Sequence, residues 1–192
     1  MQRGKLIVIS APSGSGKTTI AKAIMQRYPS MLFSVSATTR KMRSGEANGK
    51  DYFFLTKEEF RERLKNDALV EWEEIYGDFY GTLRSEVDRA LAHGSVMLFD
   101  VDVKGGLSIK KRSHDEAVLI FIKPPSFESL KQRLVNRKTE DDATIKRRLD
   151  RAEMELEMGN QFDCQVINDD LTKAIAEVDG LVRQHTEGLL VH

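Results

Sequence analysis

The run Lys5-Leu-Ile-Val-Ile-Ser-Ala-Pro-Ser-Gly-Ser-Gly-Lys-Thr18 decides the fold. Leu6 to Ile9 are apolar without alternation, the pattern of a strand covered on both faces in a parallel sheet. Pro12, Gly14 and Gly16 break that strand. From Thr18 to Tyr28, Ile20, Ala21, Ile24 and Met25 then recur at helical spacing until Pro29. Between strand and helix, Ala11-Pro-Ser-Gly-Ser-Gly-Lys-Thr18 fits a phosphate-binding loop, with Ala11 where glycine is commoner. Gly14 and Gly16 permit turns that aim successive N–H groups inward, and the following helix presents its positive end to an anion. Lys17 can reach the β and γ phosphates of a nucleotide, and Thr18 can offer its hydroxyl to Mg²⁺. The strand before and the amphipathic helix after distinguish this run from a glycine-rich turn.

Working outward, Leu32–Ser36, Val96–Val101, Val118–Ile122 and Gln165–Ile167 read as further strands, and 84–92 and 171–185 as helices. Ser126 opens a helix carrying Phe127, Leu130 and Leu134. Strands alternating with helices imply an α/β fold, a central parallel sheet flanked by helices with right-handed crossovers. Two stretches, about 35–84 and 127–157, do not read as core. In the first, 37–51 is a charged loop and Asp51–Leu55 a short aromatic strand. Thr56-Lys-Glu-Glu59 is a capping box that turns Phe60 and Leu64 inward, and 69–82 is irregular and aromatic-rich. The second is densely charged, a solvated helix pair breaking near Lys138-Thr139 and laced by ion pairs such as Glu153 with nearby arginines. The tail from Thr186 to His192 is expected to fray.

The chain of 192 residues carries 30 Lys+Arg against 30 Asp+Glu, which argues against a nucleic-acid coat or a polybasic membrane binder. Cys164 stands alone, which excludes an internal disulfide framework or a cysteine zinc site and fits a reducing compartment. With no signal-peptide core and no run approaching the ~20 apolar residues of a membrane span, a cytoplasmic protein is expected, with monomer and homo-oligomer both open. His93, His114, His185 and His192 show no pairing pattern, and Cys164 reads as a partly buried small residue.

A second cluster lies in Ser34-Val-Ser-Ala-Thr-Thr-Arg-Lys-Met-Arg-Ser-Gly-Glu-Ala-Asn-Gly-Lys-Asp-Tyr52. Arg40 and Arg43 could clamp a phosphate through paired N–H bonds, and Tyr52 could add a hydroxyl. Glu71-Trp72 leads on to Tyr80-Gly81-Thr82. Asp100-Val-Asp102 ends a buried strand, where ligands of open α/β sheets sit. In this order, and with the late Asn168-Asp169-Asp170, these segments resemble the guanylate kinase family from about Lys5 to Asp170.

The resemblance implies a P-loop nucleoside monophosphate kinase fold with an inserted mixed α/β GMP-binding region at 35–84 and a helical lid at 127–157. The core would be 1–34, 85–126 and 158–192. It implies transfer of the ATP γ-phosphate to GMP, and to dGMP, with Mg²⁺, giving ADP and GDP. By position, Ala11, Pro12, Ser13, Gly14, Ser15, Gly16, Lys17, Thr18, Thr19, Asn168 and Asp169 would bind ATP, with Thr18 toward the metal. Arg40, Arg43, Tyr52 and Tyr80 resemble the family's GMP-phosphate clamp. Ser36, Glu71, Thr82 and Asp102 resemble its guanine-reading set, and Asp100 joins the GMP site. Lys17, Arg43 and the lid arginines Arg137 and Arg148 would stabilise the moving charge. A carboxylate can accept guanine N1–H and N2–H as a pair, and adenine, lacking that edge, would leave it unpaired, a discrimination that reaches ~10⁴-fold. The alternative for Glu71 is an exposed acid beside a core Trp72. Lys138, where the family often has glycine, could alter the lid hinge. A non-catalytic guanylate-kinase-like binding module usually lacks an intact phosphate loop, which this chain keeps.

Overall fold

The computed structural model describes residues 3–75, 77–136 and 142–190. Strand β1 (Lys5–Ser10) lies between β7 (Val96–Asp100) and β8 (Ala117–Lys123), parallel to both. With β2 (Leu32–Phe33) and β9 (Cys164–Ile167) at the edges, the sheet order is β2-β7-β1-β8-β9, and every pairing is parallel. Successive residues of β1 point to opposite faces. Ile7 and Ile9 pack with Ile20 and Ile24 of α1 (Lys17–Arg27) and Val178 and Val182 of α7 (Leu171–His185). Leu6 and Val8 pack with Val87 and Leu91 of α3 (Arg84–Ala92) and Ile109 of α4 (Val103–Ser113). Both faces of the strand are covered, which is why its sequence carries no alternation.

A smaller sheet, β4-β3-β6-β5, sits on the 35–84 stretch. It contains β3 (Ala37–Thr38), β4 (Phe53–Phe54), β5 (Leu69–Ile75) and β6 (Asp78–Leu83), and it mixes parallel and antiparallel pairs. Its own core gathers Phe60 of α2 (Lys57–Lys65) with Ala37 and Leu69. The capping box forms: Thr56 Oγ1 accepts the Glu59 N–H at 3.1 Å, and Glu59 Oε2 accepts the Thr56 N–H at 2.7 Å. Helices α5 (Phe127–Asn136) and α6 (Asp142–Met158) pack on each other through Leu130, Leu134 and Ala152.

The sequence reading is corrected at several points. Within the 69–82 stretch β5 and β6 pair as antiparallel strands, because ladder pairing across Glu71↔Thr82 to Ile75↔Asp78 organises residues whose own hydrophobic pattern is irregular. The strand expected over Leu32–Ser36 spans only Leu32–Phe33, after which the chain leaves the edge for the second sheet. Helix α4 went unread, since Gly105 and Gly106 weaken its propensity. Both glycines are buried there, and a side chain on Gly106 would meet the Phe162 ring at 2.9 Å. The tail does not fray at its start: Thr186 is buried and Leu189 and Leu190 pack on the core. Among the described residues of α6, Arg151 pairs with Glu155 at 2.8 Å. The proposed break at Lys138-Thr139 lies outside the described residues.

Candidate active site

Gly14 and Gly16 of the loop after β1 take left-handed φ angles of 95° and 90°. A side chain at 16 would also meet Asn168 Nδ2 at 2.4 Å, so glycine there is required twice over. Asn168 is buried, and its Nδ2 donates to the Ser15 carbonyl at 2.8 Å. Its own carbonyl accepts Arg133 Nη2 at 2.9 Å. The late Asn-Asp segment thus braces the loop from the β9–α7 junction, while Asp169 beside it is exposed. Ser13 accepts Arg148 Nη1 from α6 at 3.1 Å.

Lys17 opens α1 and reaches across to the end of β7. Its Nζ lies 2.7 Å from Asp100 Oδ1 and donates to the Val101 carbonyl at 3.1 Å. An ammonium has three donors, so one remains for a phosphate oxygen. Thr18 Oγ1 donates to Asp100 Oδ2 at 3.1 Å. Asp100, grouped by sequence with the acceptor site, therefore stands against the phosphate loop. A hydroxyl and a carboxylate side by side at the loop are hard oxygen donors, few in number, and suit Mg²⁺, which keeps most of its other positions for water and phosphate. Among the described residues no group of three or more His, Cys, Asp or Glu is placed to cage a metal by itself.

Two residues on, Asp102 caps α4, its Oδ1 accepting the Gly105 N–H at 2.8 Å. Glu71 approaches the same helix end. Its Oε2 lies 3.2 Å from where a side chain on Gly105 would begin, so the absent side chain makes the approach possible. Thr82, buried on the neighbouring strand, donates to Glu71 Oε1 at 2.6 Å. Burial pushes the Glu71 carboxyl up to about 7; Asp102 and Glu73 add to the rise and Thr82 opposes it. Trp72, by contrast, is 51% exposed. Strand alternation has reversed the alternative of an exposed acid beside a core tryptophan.

The arginine loop stands on β3 and β4. Arg40 makes a forked pair with Glu46, at 2.7 and 3.1 Å, and lies 5.2 Å over the Tyr52 ring. Hydrogen bonding to Glu46 raises the Arg40 pKa further and lowers that of Glu46. Glu46 also accepts the Arg43 N–H at 2.7 Å, while the Arg43 side chain is exposed. Tyr52 and Tyr80 meet edge to face at 6.1 Å. Ser36 is half-buried, its carbonyl held by the Phe53 N–H at 2.9 Å. Arg137 lies outside the described residues.

A cleft of ≈ 620 Å³ is lined by the loop, Lys17, Thr18 and Thr19 on one side and Asp102, Arg148, Arg151 and Glu155 on the other. Sequence reasoning missed Glu46, Glu73, Arg151 and Glu155. Only the four-residue spacing of Arg151 and Glu155 was a signal, and in a segment crowded with charge it does not stand out.

The loop at the end of β1 puts the chain among the phosphate-loop nucleotide-binding proteins. The family model for guanylate kinase matches residues 3–185, and the chain belongs to that family. The guanylate kinase of Chlorobaculum tepidum is 49% identical over 178 residues, 93% of this chain and 91% of that one. That of Thermotoga maritima is 42% identical over 181 residues, 94% and 87% of the two chains. The crystal structure of guanylate kinase from Anaplasma phagocytophilum superposes with a TM-score of 0.74 at 28% identity, covering 100% of this chain and 92% of that one. Among the described residues no helix is long and apolar enough to cross a membrane.

Proposed function

We infer that the protein transfers the γ-phosphoryl group of ATP to a phosphate oxygen of GMP, giving ADP and GDP. The observation that carries this reading is the Glu71–Thr82 pair, set beside Asp102, which itself lines the cleft that holds Lys17. A buried carboxylate there accepts two N–H groups of guanine; adenine offers no such pair. The reading extends to dGMP and to a cytoplasmic setting, which lone Cys164 suits.

Residues 35–84 act as the acceptor region, 127–157 as a lid, and the remainder as the core. The phosphate loop, braced by Asn168, holds the ATP phosphates with its N–H groups and the free donor of Lys17. Mg²⁺ carried with ATP, held by Thr18 and Asp100, would neutralise phosphate charge. Arg40 and Arg43, organised by Glu46, and the hydroxyls of Tyr52 and Tyr80 hold the GMP phosphate. The attacking oxygen of GMP bonds to the γ phosphorus as the bond to the ADP oxygen breaks. Arg148 and Arg137 stabilise the charge spread over the moving group. Closing both regions over the cleft excludes water, which suppresses hydrolysis of ATP.

An ADP-release assay with ATP and each of GMP, dGMP, AMP, UMP and TMP tests the reading. Turnover with GMP and dGMP and little with the others is expected; activity with AMP but not GMP would overturn it.

A further inference from the structure

Arg151 touches three parts of the molecule at once. It stands on α6, in the 127–157 segment, and its Nε is held at 2.8 Å by Glu155 one turn on. Its Nη2 donates to Asp102 Oδ2, at the cap of α4 in the core, at 3.1 Å. The same nitrogen lies 3.4 Å from Glu73 Oε1 on β5, in the acceptor sheet. Glu155 is 5% exposed, and its buried carboxyl gives the guanidinium a fixed seat on the helix. Two of these partners flank the Glu71 carboxyl, and both raise its pKa.

Arg148 lies three residues earlier on the same helix face, with its guanidinium on Ser13 of the phosphate loop. One helix turn thus carries two arginines to different parts of the molecule, Arg148 to the phosphate loop and Arg151 to Asp102 and the acceptor sheet. Displacement of α6 at one end is felt at the other. At 3.4 Å the Glu73 contact is the longest of the three, so movement of β5 toward α6 shortens and strengthens it. A contact that differs in strength between two arrangements is what coupling between sites requires.

We propose that Arg151 is a positioning residue that couples the two substrates: by bridging Asp102 and Glu73 from α6, it makes occupancy of the donor half raise affinity in the acceptor half, and the reverse. This rests on the GMP kinase reading above. The hydrogen bonds of Arg151 go to Glu155, Asp102 and Glu73, so it acts through the carboxylates around Glu71 and through the helix that carries Arg148.

The test is a coupling ratio measured by calorimetry. The GMP dissociation constant is determined with and without saturating Mg²⁺ and the non-hydrolysable ATP analogue AMP-PNP, and the AMP-PNP constant with and without GMP. In the parent protein each ligand is expected to tighten the other by at least about fivefold, equally in both directions. Arg151→Met keeps the aliphatic stem and loses the bridge, and its ratio should fall to near one. Arg151→Lys keeps the charge without the fork and should restore part of it. Glu73→Gln weakens one arm of the bridge and should give an intermediate ratio; it carries the test if Arg151→Met fails to fold. A general structural defect would weaken both affinities without changing their ratio. A parent ratio near one, or an unchanged ratio in Arg151→Met or Glu73→Gln, overturns the proposal. Failure of the parent protein to bind GMP at all would overturn the function reading instead.

Discussion

Thr82 Oγ1 donates to Glu71 Oε1 at 2.6 Å across the β5–β6 ladder, yet burial still holds the Glu71 carboxyl at about 7. The fold keeps an acid that binds a proton more tightly than in water, in a pocket whose proposed ligand needs the carboxylate. Asp102 and Glu73 face it with like charge, Thr82 donates to it, and Arg151 stands behind the two carboxylates.

GMP affinity should therefore depend on pH. Binding to the carboxylate displaces the proton that Glu71 holds below about 7, so the dissociation constant should fall as pH rises from about 6 to about 8 and level off above. Glu71→Gln should flatten this profile and weaken GMP by about 10- to 100-fold while leaving ATP binding near the parent value. Titration calorimetry across that pH range checks both statements, and a steep profile retained in the variant would remove Glu71 from guanine recognition.

The same shift affects stability. The folded-state value of about 7 lies above the ordinary 4.5, so the unfolded chain releases this proton first, and the Glu71 contribution to stability is lost as pH rises through that window. At pH 8 the parent carries a partly desolvated carboxylate that Glu71→Gln lacks. The variant should melt about 2–4 °C higher at pH 8, with the gain shrinking toward pH 5. Differential scanning calorimetry at the two pH values decides it.

Lys17 ties the phosphate loop to the end of β7 through Asp100 and the Val101 carbonyl. Lys17→Met should lower kcat with GMP by about 10²- to 10³-fold, because a fixed cation leaves the transferring phosphate. GMP binding alone should change less than about threefold, as the acceptor pocket lies on other elements. Equal loss of turnover and GMP binding would contradict this separation.

Gly16 combines a φ of 90° with an approach of 2.4 Å to Asn168 Nδ2. Gly16→Ala should displace Asn168 from the Ser15 carbonyl, cost about 1–3 kcal/mol of stability and abolish measurable binding of Mg²⁺ and AMP-PNP. Chemical denaturation together with calorimetry reads both.

Phe60 is fully buried beneath the second sheet, in a core separate from that of the central sheet. Phe60→Ala should cost about 3–5 kcal/mol there. Hydrogen exchange in β5 and β6 should accelerate far more than in β1 and β8, with GMP affinity lost before affinity for AMP-PNP. Uniform acceleration across both sheets would show a single cooperative unit.

The parallel sheet was legible in the sequence because Leu6–Ile9, Val96–Phe99 and Val118–Ile122 are apolar on both faces, a pattern that needs no partner to be recognised. The phosphate loop was legible because its function depends on backbone turns that glycine alone supplies cheaply, and those glycines are contiguous in the chain. The capping box at Thr56 and Glu59 was local in the same way. Helix α4 was not, since Gly105 and Gly106 contradict the helix they occupy, and their justification lies in Phe162 and Glu71, distant in sequence. The antiparallel pairing of β5 with β6 was also hidden, because the ladder and the exposed Trp72 depend on which strand lies opposite.

The sequence by itself determined the fold class, the phosphate loop and, through its resemblance to guanylate kinases, which residues are proposed for the acceptor site. Tertiary structure alone decided what those residues do to one another. It carried Asp100 to Lys17 and Thr18, packed Glu71 against Thr82 and the start of α4, and brought Arg151 across to Asp102 and Glu73. The physical reason is range. Periodicity, caps and glycine turns act between neighbours along the chain, whereas desolvation and charge pairing depend on what folding places within a few ångströms.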